Sequence, residues 1–159
     1  MCPVAVRVRA AAGWTNAGNP CTIDAPHPNP RSLPLSADPL AVVEAFFAAR
    51  DAFDFERARA LLADQGFSFR SPIAEFDCAD QFIQYGAHAS AIVQSVQVRK
   101  VFVDGPDVCH FLTYRIQISE KLSINAVQWT HVEQGRILRI ETLFDASVYR
   151  ELFPGPVAG

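Results

Sequence analysis

Beyond residue 37 the apolar positions recur first at helical spacing and then at strand spacing. Asp38 and Pro39 open the first periodic stretch: a capping side chain, then a residue whose fixed φ suits the first helical position. Leu40, Val43, Phe46, Phe47 and Arg50 follow three or four apart, which gives this helix one apolar face. A second helix starts at Asp54 and buries Phe55, Ala58, Leu61 and Leu62. A short strand, Phe67 to Ser71, stops at Pro72. A third helix runs from about Ala79 to Val93, capped by Asp77, with Phe82, Tyr85 and Ala89 on its apolar face.

The period then changes from about 3.6 to 2. Strands are predicted over residues 94–103, 108–118, 123–133 and 136–144, with hairpin turns at Asp104-Gly105 and Gln134-Gly135. Within SVQVRKVFVD the alternation slips at Arg99-Lys100, the mark of a β-bulge, and bulges bend sheets. A short helix, Ala146 to Phe153, closes the pattern. Leu138, Ile140, Thr142 and Phe144 share the inward face of the last strand. Ile124, Ala126, Gln128, Thr130 and Val132 share that of the strand before it. Strand 108–118 is apolar on both faces. Cys109, Phe111, Thr113, Arg115 and Gln117 are assigned inward, and His110, Leu112, Tyr114, Ile116 and Ile118 outward. An antiparallel sheet in a small domain usually wets one face. A second apolar face therefore predicts a homodimer through the outer sheet.

Residues 1–37 have no sustained period and hold six of the eleven prolines, which predicts a disordered or weakly ordered extension. Residues 38–153 form the folded domain, and 154–159 a tail. The net charge of -3, without any Lys/Arg run, argues against nucleic acid or an anionic membrane as partner. No apolar stretch approaches the roughly 18 residues of a membrane span. Cys2, Cys21, Cys78 and Cys109 show no metal-ligand spacing with the histidines, which predicts reduced thiols in a cytoplasmic protein. No metal and no cofactor is expected, since neither a ligand cluster nor a nucleotide motif is present.

FFAARDAFDFERARALL, FSFRSP and VEQGRILRIETLFD, in that order and at that spacing, resemble the nuclear transport factor 2-like superfamily, and its SnoaL-like branch in particular. The resemblance covers residues 38–153. It implies an α+β fold of the cystatin-like type: a cone-shaped, curved antiparallel sheet of about four to six strands wrapped around three N-terminal helices, with a largely apolar pocket. It also implies where chemistry would sit. Phe46, Ser71 and Gln128 occupy the positions of the tyrosine, proton-shuttling aspartate and acid of ketosteroid isomerases, and Gln128 also that of the polyketide-cyclase acid. None of the three can do the corresponding work. Of the epoxide-hydrolase set the arginine is matched by Arg115, while Gln117 and Thr142 replace its two aspartates.

The expected ligand site is Phe46, Ser71, Phe82, Tyr85, Arg115, Gln117, Gln128, Thr130, Thr142 and Phe144: apolar walls with a few orienting hydrogen-bonders. Arg115, His88 and Asp145 are the candidates for catalysis. Arg115 would clamp a carboxylate or carbonyl, or pair with Glu75 or Asp77. His88 is a candidate base or a surface histidine, and Asp145 a pocket acid or a helix cap. The first functional expectation is a small-molecule pocket protein for an apolar, carbonyl- or carboxylate-bearing ligand. The alternatives are a lyase, isomerase or hydrolase with an unfamiliar residue set, and a protein-interaction module.

Overall fold

A computed structural model describes residues 38–117 and 121–147. α1 (Pro39–Asp51) begins where the sequence places it: the Asp38 carboxylate accepts from the Leu40 amide and Pro39 takes the first helical turn. α2 (Phe55–Ala60) is capped by Asp54, which accepts from the Arg57 amide. β1 (Ser68–Arg70) pairs antiparallel with β2 (Glu75–Phe76), a strand not expected from the sequence. The Ser71 side chain closes the turn between them, accepting from the Ala74 amide at 3.0 Å and donating to the Ala74 carbonyl at 3.0 Å.

α3 (Ala79–Ala89) ends before the predicted Val93, because Val93 pairs with Ile116 and opens a strand. Its N-cap is Cys78 rather than Asp77; the Asp77 carboxylate instead pairs with the Arg70 guanidinium. β3 (Val93–Asp104), β4 (Asp107–Gln117), β5 (Lys121–Glu133) and β6 (Arg136–Phe144) form the meander. The turn into β6 has Gln134 at φ 49° and Gly135 at φ 73°, two positive values that suit a two-residue hairpin. The bulge falls where the alternation slips, between Val98 and Lys100.

The six strands run β2-β1-β6-β5-β4-β3 in a curved, unclosed sheet. It is mixed rather than wholly antiparallel, because β1 lies parallel to β6. An irregularity between His131 and Val132, where β6 gains a residue, turns Ile137 into the core and Leu138 out of it. That corrects the expected inward set of β6, of which Ile140 and Thr142 remain buried and Phe144 half-buried. The core packs α1 (Val43, Phe46) and α2 (Ala58) onto Val108, Ile137 and Ile140.

Among the described residues no helix is long and apolar enough to cross a membrane. Cys109 is a free thiol, whereas Cys78 is disulfide-bonded, against the expectation of reduced thiols throughout. The extension 1–37, the tail 154–159 and most of the closing helix predicted over Ala146–Phe153 lie outside the described residues.

Candidate functional site

The site is built on the inner face of β4, β5 and β6, beneath α1. Which side chains face inward is fixed by register: Gln117 pairs with Lys121, so His110 pairs with Gln128 and Leu112 with Ala126. Directly opposed residues share a face. The even-numbered positions of β4 therefore join the inward set of β5, and Val108, His110, Leu112 and Ile116 are all buried. This reverses the two faces predicted for β4. Arg115 and Gln117 are exposed on the outer face, and Gln117 accepts from the Gln94 amide there. Side chains alternate with a period of two, so a one-residue shift of this pairing would exchange the faces.

Three polar side chains lie in a row across the inner face: His110 on β4, Gln128 opposite it on β5, and Thr142 opposite Gln128 on β6. Thr130, the next inward position of β5, accepts from the Gln128 amide nitrogen at 3.2 Å. Gln128, Thr130 and Thr142 are thus brought together inside the fold as expected, and His110 is the member the sequence reading missed. The Phe47 ring meets His110 edge-on, with centroids 5.0 Å apart. Burial lowers the imidazole pKa, so His110 is neutral near pH 7.

Beside this row is a cavity of about 330 Å³, bounded by the C-terminal part of α1, the α1–α2 connection, the end of α3, β3 and β4. Its apolar lining includes Phe47, Phe53, Phe55, Val96 and Val98, and its polar lining includes Arg50, Asp51 and Tyr114. The Arg50 guanidinium lies close enough to the Tyr114 hydroxyl to lower its pKa, and stands 5.7 Å over the Phe46 ring. Burial raises the Tyr114 pKa, and Arg50 only partly offsets this, so the phenol stays protonated. Phe53 holds φ 57°, a strained conformation for a bulky residue, while 63% of its surface is exposed at the cavity.

The other predicted site residues lie elsewhere. Phe46 and Phe82 are core, stacked 6.3 Å apart, and Tyr85 packs on Phe76 at 5.1 Å. These rings fill the space that the sequence reading left for a ligand. Ser71 is occupied by its turn. His88 is exposed, and its Nδ1 is hydrogen-bonded to the Gln84 carbonyl of its own helix at 2.6 Å. Asp145 accepts from the Ser147 amide at 2.9 Å, as a cap does. Phe144 sits at the end of β6 opposite Ala126. Among the described residues no group of three or more His, Cys, Asp or Glu could hold a metal ion.

The outer face carries a separate polar set. Asp107 accepts from Trp129 at 2.7 Å and is paired with His131 at 2.8 Å, while Glu133 approaches the other His131 nitrogen at 3.1 Å. Burial by itself would raise the Asp107 pKa, but the hydrogen bonds from His131 and Trp129 outweigh it and hold the carboxyl low. The hydrogen bonds to Asp107 and Glu133 raise His131 above its usual value. A raised folded pKa stabilises fully below the unfolded value of about 6.5, and that stabilisation is lost as pH rises through the folded value. Denaturant midpoints measured from pH 5.5 upward should therefore fall by an amount worth under about 1 kcal/mol. The fall should be absent in His131→Gln; a variant that keeps the full slope would assign the effect to another group.

No family model and no curated protein matches the sequence. Solved structures do match in shape. An NTF2-like protein of unknown function from Cytophaga hutchinsonii superposes with a TM-score of 0.63 at 22% identity, over 76% of this chain and 99% of that one. An LEH-like epoxide hydrolase from M. tuberculosis gives 0.60 at 18% identity, over 74% and 96%. A putative SnoaL-like polyketide cyclase from Shewanella denitrificans gives 0.59 at 12% identity, over 71% and 94%.

Proposed function

We propose that this chain, which has the nuclear transport factor 2-like fold, is a small-molecule pocket protein whose ligand is apolar and carries a carboxylate or carbonyl. The observation that carries the proposal is the cavity itself: aromatic and aliphatic walls, with a guanidinium and a phenol meeting at Arg50 and Tyr114. Apolar enclosure with a few convergent polar groups is the general form of a ligand site. A guanidinium and a neutral phenol both donate, so they select an acceptor. The strained, exposed Phe53 at the cavity supports the same reading, since such strain collects at ligand clamps. Arg115, His88 and Asp145 do not line this cavity.

The test is a thermal-shift screen of the full chain against apolar carboxylic acids, ketones and matching hydrocarbons. A ligand at about a hundred times its dissociation constant stabilises by about 2.7 kcal/mol. Shifts for acids or ketones that exceed those of the hydrocarbons support the proposal. Equal shifts for all three, or none, reject it.

We also propose that two copies pair through the outer sheet. Phe102, Phe111 and Leu143 are exposed there, and Phe111 lies opposite Val127, which in turn lies opposite Leu143. Such a stripe suits a two-fold partner presenting the same surface. In sedimentation at micromolar concentration the wild type should run as a dimer and Phe111→Glu as a monomer. A monomeric wild type sinks the proposal.

A further inference from the structure

We infer that His110 is the inner recognition group of this cavity: with the Phe47 ring turned aside, its Nδ1 hydrogen-bonds a neutral hydroxyl on the apolar ligand. The inference rests on the pocket reading above and extends it from the Arg50 end to the interior. Its first support is an orphaned atom. His110 is 1% exposed, and its Nδ1 has no hydrogen-bond partner among the described residues. Buried polar groups are rarely left so, because the lost hydration is not repaid. The position does not demand a histidine for packing. Val108 and Leu112, the inward neighbours on β4, are fully buried aliphatics.

The second support is placement. Phe47 lines the cavity, and the same ring covers His110 edge-on. It is half-buried, unlike the fully buried Phe46 beside it, so a side-chain rotation toward the cavity displaces no core residue of its own helix. Tyr114 lines the cavity four residues further along β4, roughly 13 Å of strand from His110. A ligand spanning from Arg50 to His110 therefore has an elongated apolar body. Gln128, opposite His110, already spends its amide on Thr130.

The third support is chemistry. Burial keeps the imidazole neutral, so nothing here compensates an anion, and an unpaired buried charge is costly. Neutral imidazole has two tautomers, and Nδ1 donates in one and accepts in the other. A hydroxyl serves either tautomer, whereas a carbonyl serves one.

The experiment uses p-cresol and toluene as probes, which share a ring and differ by the hydroxyl. Their affinities would be measured on the full chain as wild type, His110→Leu, Phe47→Ala and Arg50→Ala. The wild type should prefer p-cresol up to about tenfold, the worth of one good buried hydrogen bond. The preference should vanish in His110→Leu and persist in both other variants, with Phe47→Ala binding both probes more tightly. His110→Leu should itself melt higher, because the orphaned atom is gone. The imidazole nitrogen resonances of the wild type give a readout without any variant: p-cresol should move His110 Nδ1, and toluene should not. If the preference survives His110→Leu, or if Nδ1 stays still while p-cresol binds, the inference is overturned and the outer pocket stands. If neither probe binds the wild type or Phe47→Ala at millimolar concentration, the inference is overturned, and the screen with acids and ketones alone decides the pocket reading.

Discussion

Phe82→Ala is expected to destabilise the domain by about 3–5 kcal/mol, the range for deleting a buried aromatic ring. Phe82 is 5% exposed and sits at the centre of a cluster drawn from three parts of the chain. Its centroid is 4.6 Å from Phe69 and 5.4 Å from Phe67, and it also meets Phe46 at 6.3 Å and Phe76 at 6.4 Å. One ring thus holds α3 to α1 and to the short strands β1 and β2. Those strands span only three and two residues, too few to stay in place by their ladder alone. The alanine would leave a cavity bordered by rings, and rings cannot collapse into it without leaving their own contacts. Denaturant unfolding measures the loss. Phe102→Ala is the matched control: that ring is 55% exposed, and its removal should change stability by under about 0.5 kcal/mol in a monomeric preparation. A cost below about 1 kcal/mol at Phe82 would mean that the cluster is not packed as described.

The second large effect separates two arginines. Arg50→Ala should weaken binding of an apolar carboxylic acid about 10- to 100-fold, because hydrogen bonds to a charged partner are worth about 1.5–3 kcal/mol. Arg115→Ala should leave binding unchanged. Arg50 lies at the cavity beside Tyr114, with its guanidinium over the Phe46 ring, so it is oriented before any ligand arrives. Arg115 is exposed on the opposite face, between Ser95 and Ser123. Tyr114→Phe removes one neutral donor and should cost less, about 2- to 10-fold. Titration calorimetry with a carboxylic acid from the screen reads all three. Equal losses at Arg50 and Arg115 would show that neither effect is local to the cavity. A loss confined to Arg115 would restore the faces that the sequence reading assigned to β4.

Where the sequence was sufficient, the signal was local. Asp38 with Pro39, and Asp54, start helices because a carboxylate three or fewer residues away can satisfy an amide that the helix leaves open. Gln134-Gly135 makes its turn because both positions take positive φ. The Val98/Lys100 bulge appears in the hydrophobic alternation because a bulge is a one-residue slip of that period. Gln128, Thr130 and Thr142 were placed inside correctly because they alternate in step with Ala126, Val132 and Ile140, which are buried on the same strands.

What the tertiary structure alone decided was everything that hung on β4. That strand carries apolar residues on both faces, so alternation cannot say which face is inward. The choice was made by its pairing with β5, and it exchanged Arg115 and Gln117 for His110 and Tyr114. The parallel pairing of β1 with β6 and the closing of the aromatic cluster around Phe82 are non-local in the same way: they join segments far apart in the chain. Caps, turns and bulges are written within a few residues, so the chain itself specifies them. The face of a strand depends on a partner, and because its side chains alternate with a period of two, a single-residue difference in pairing moves every one of them to the other side.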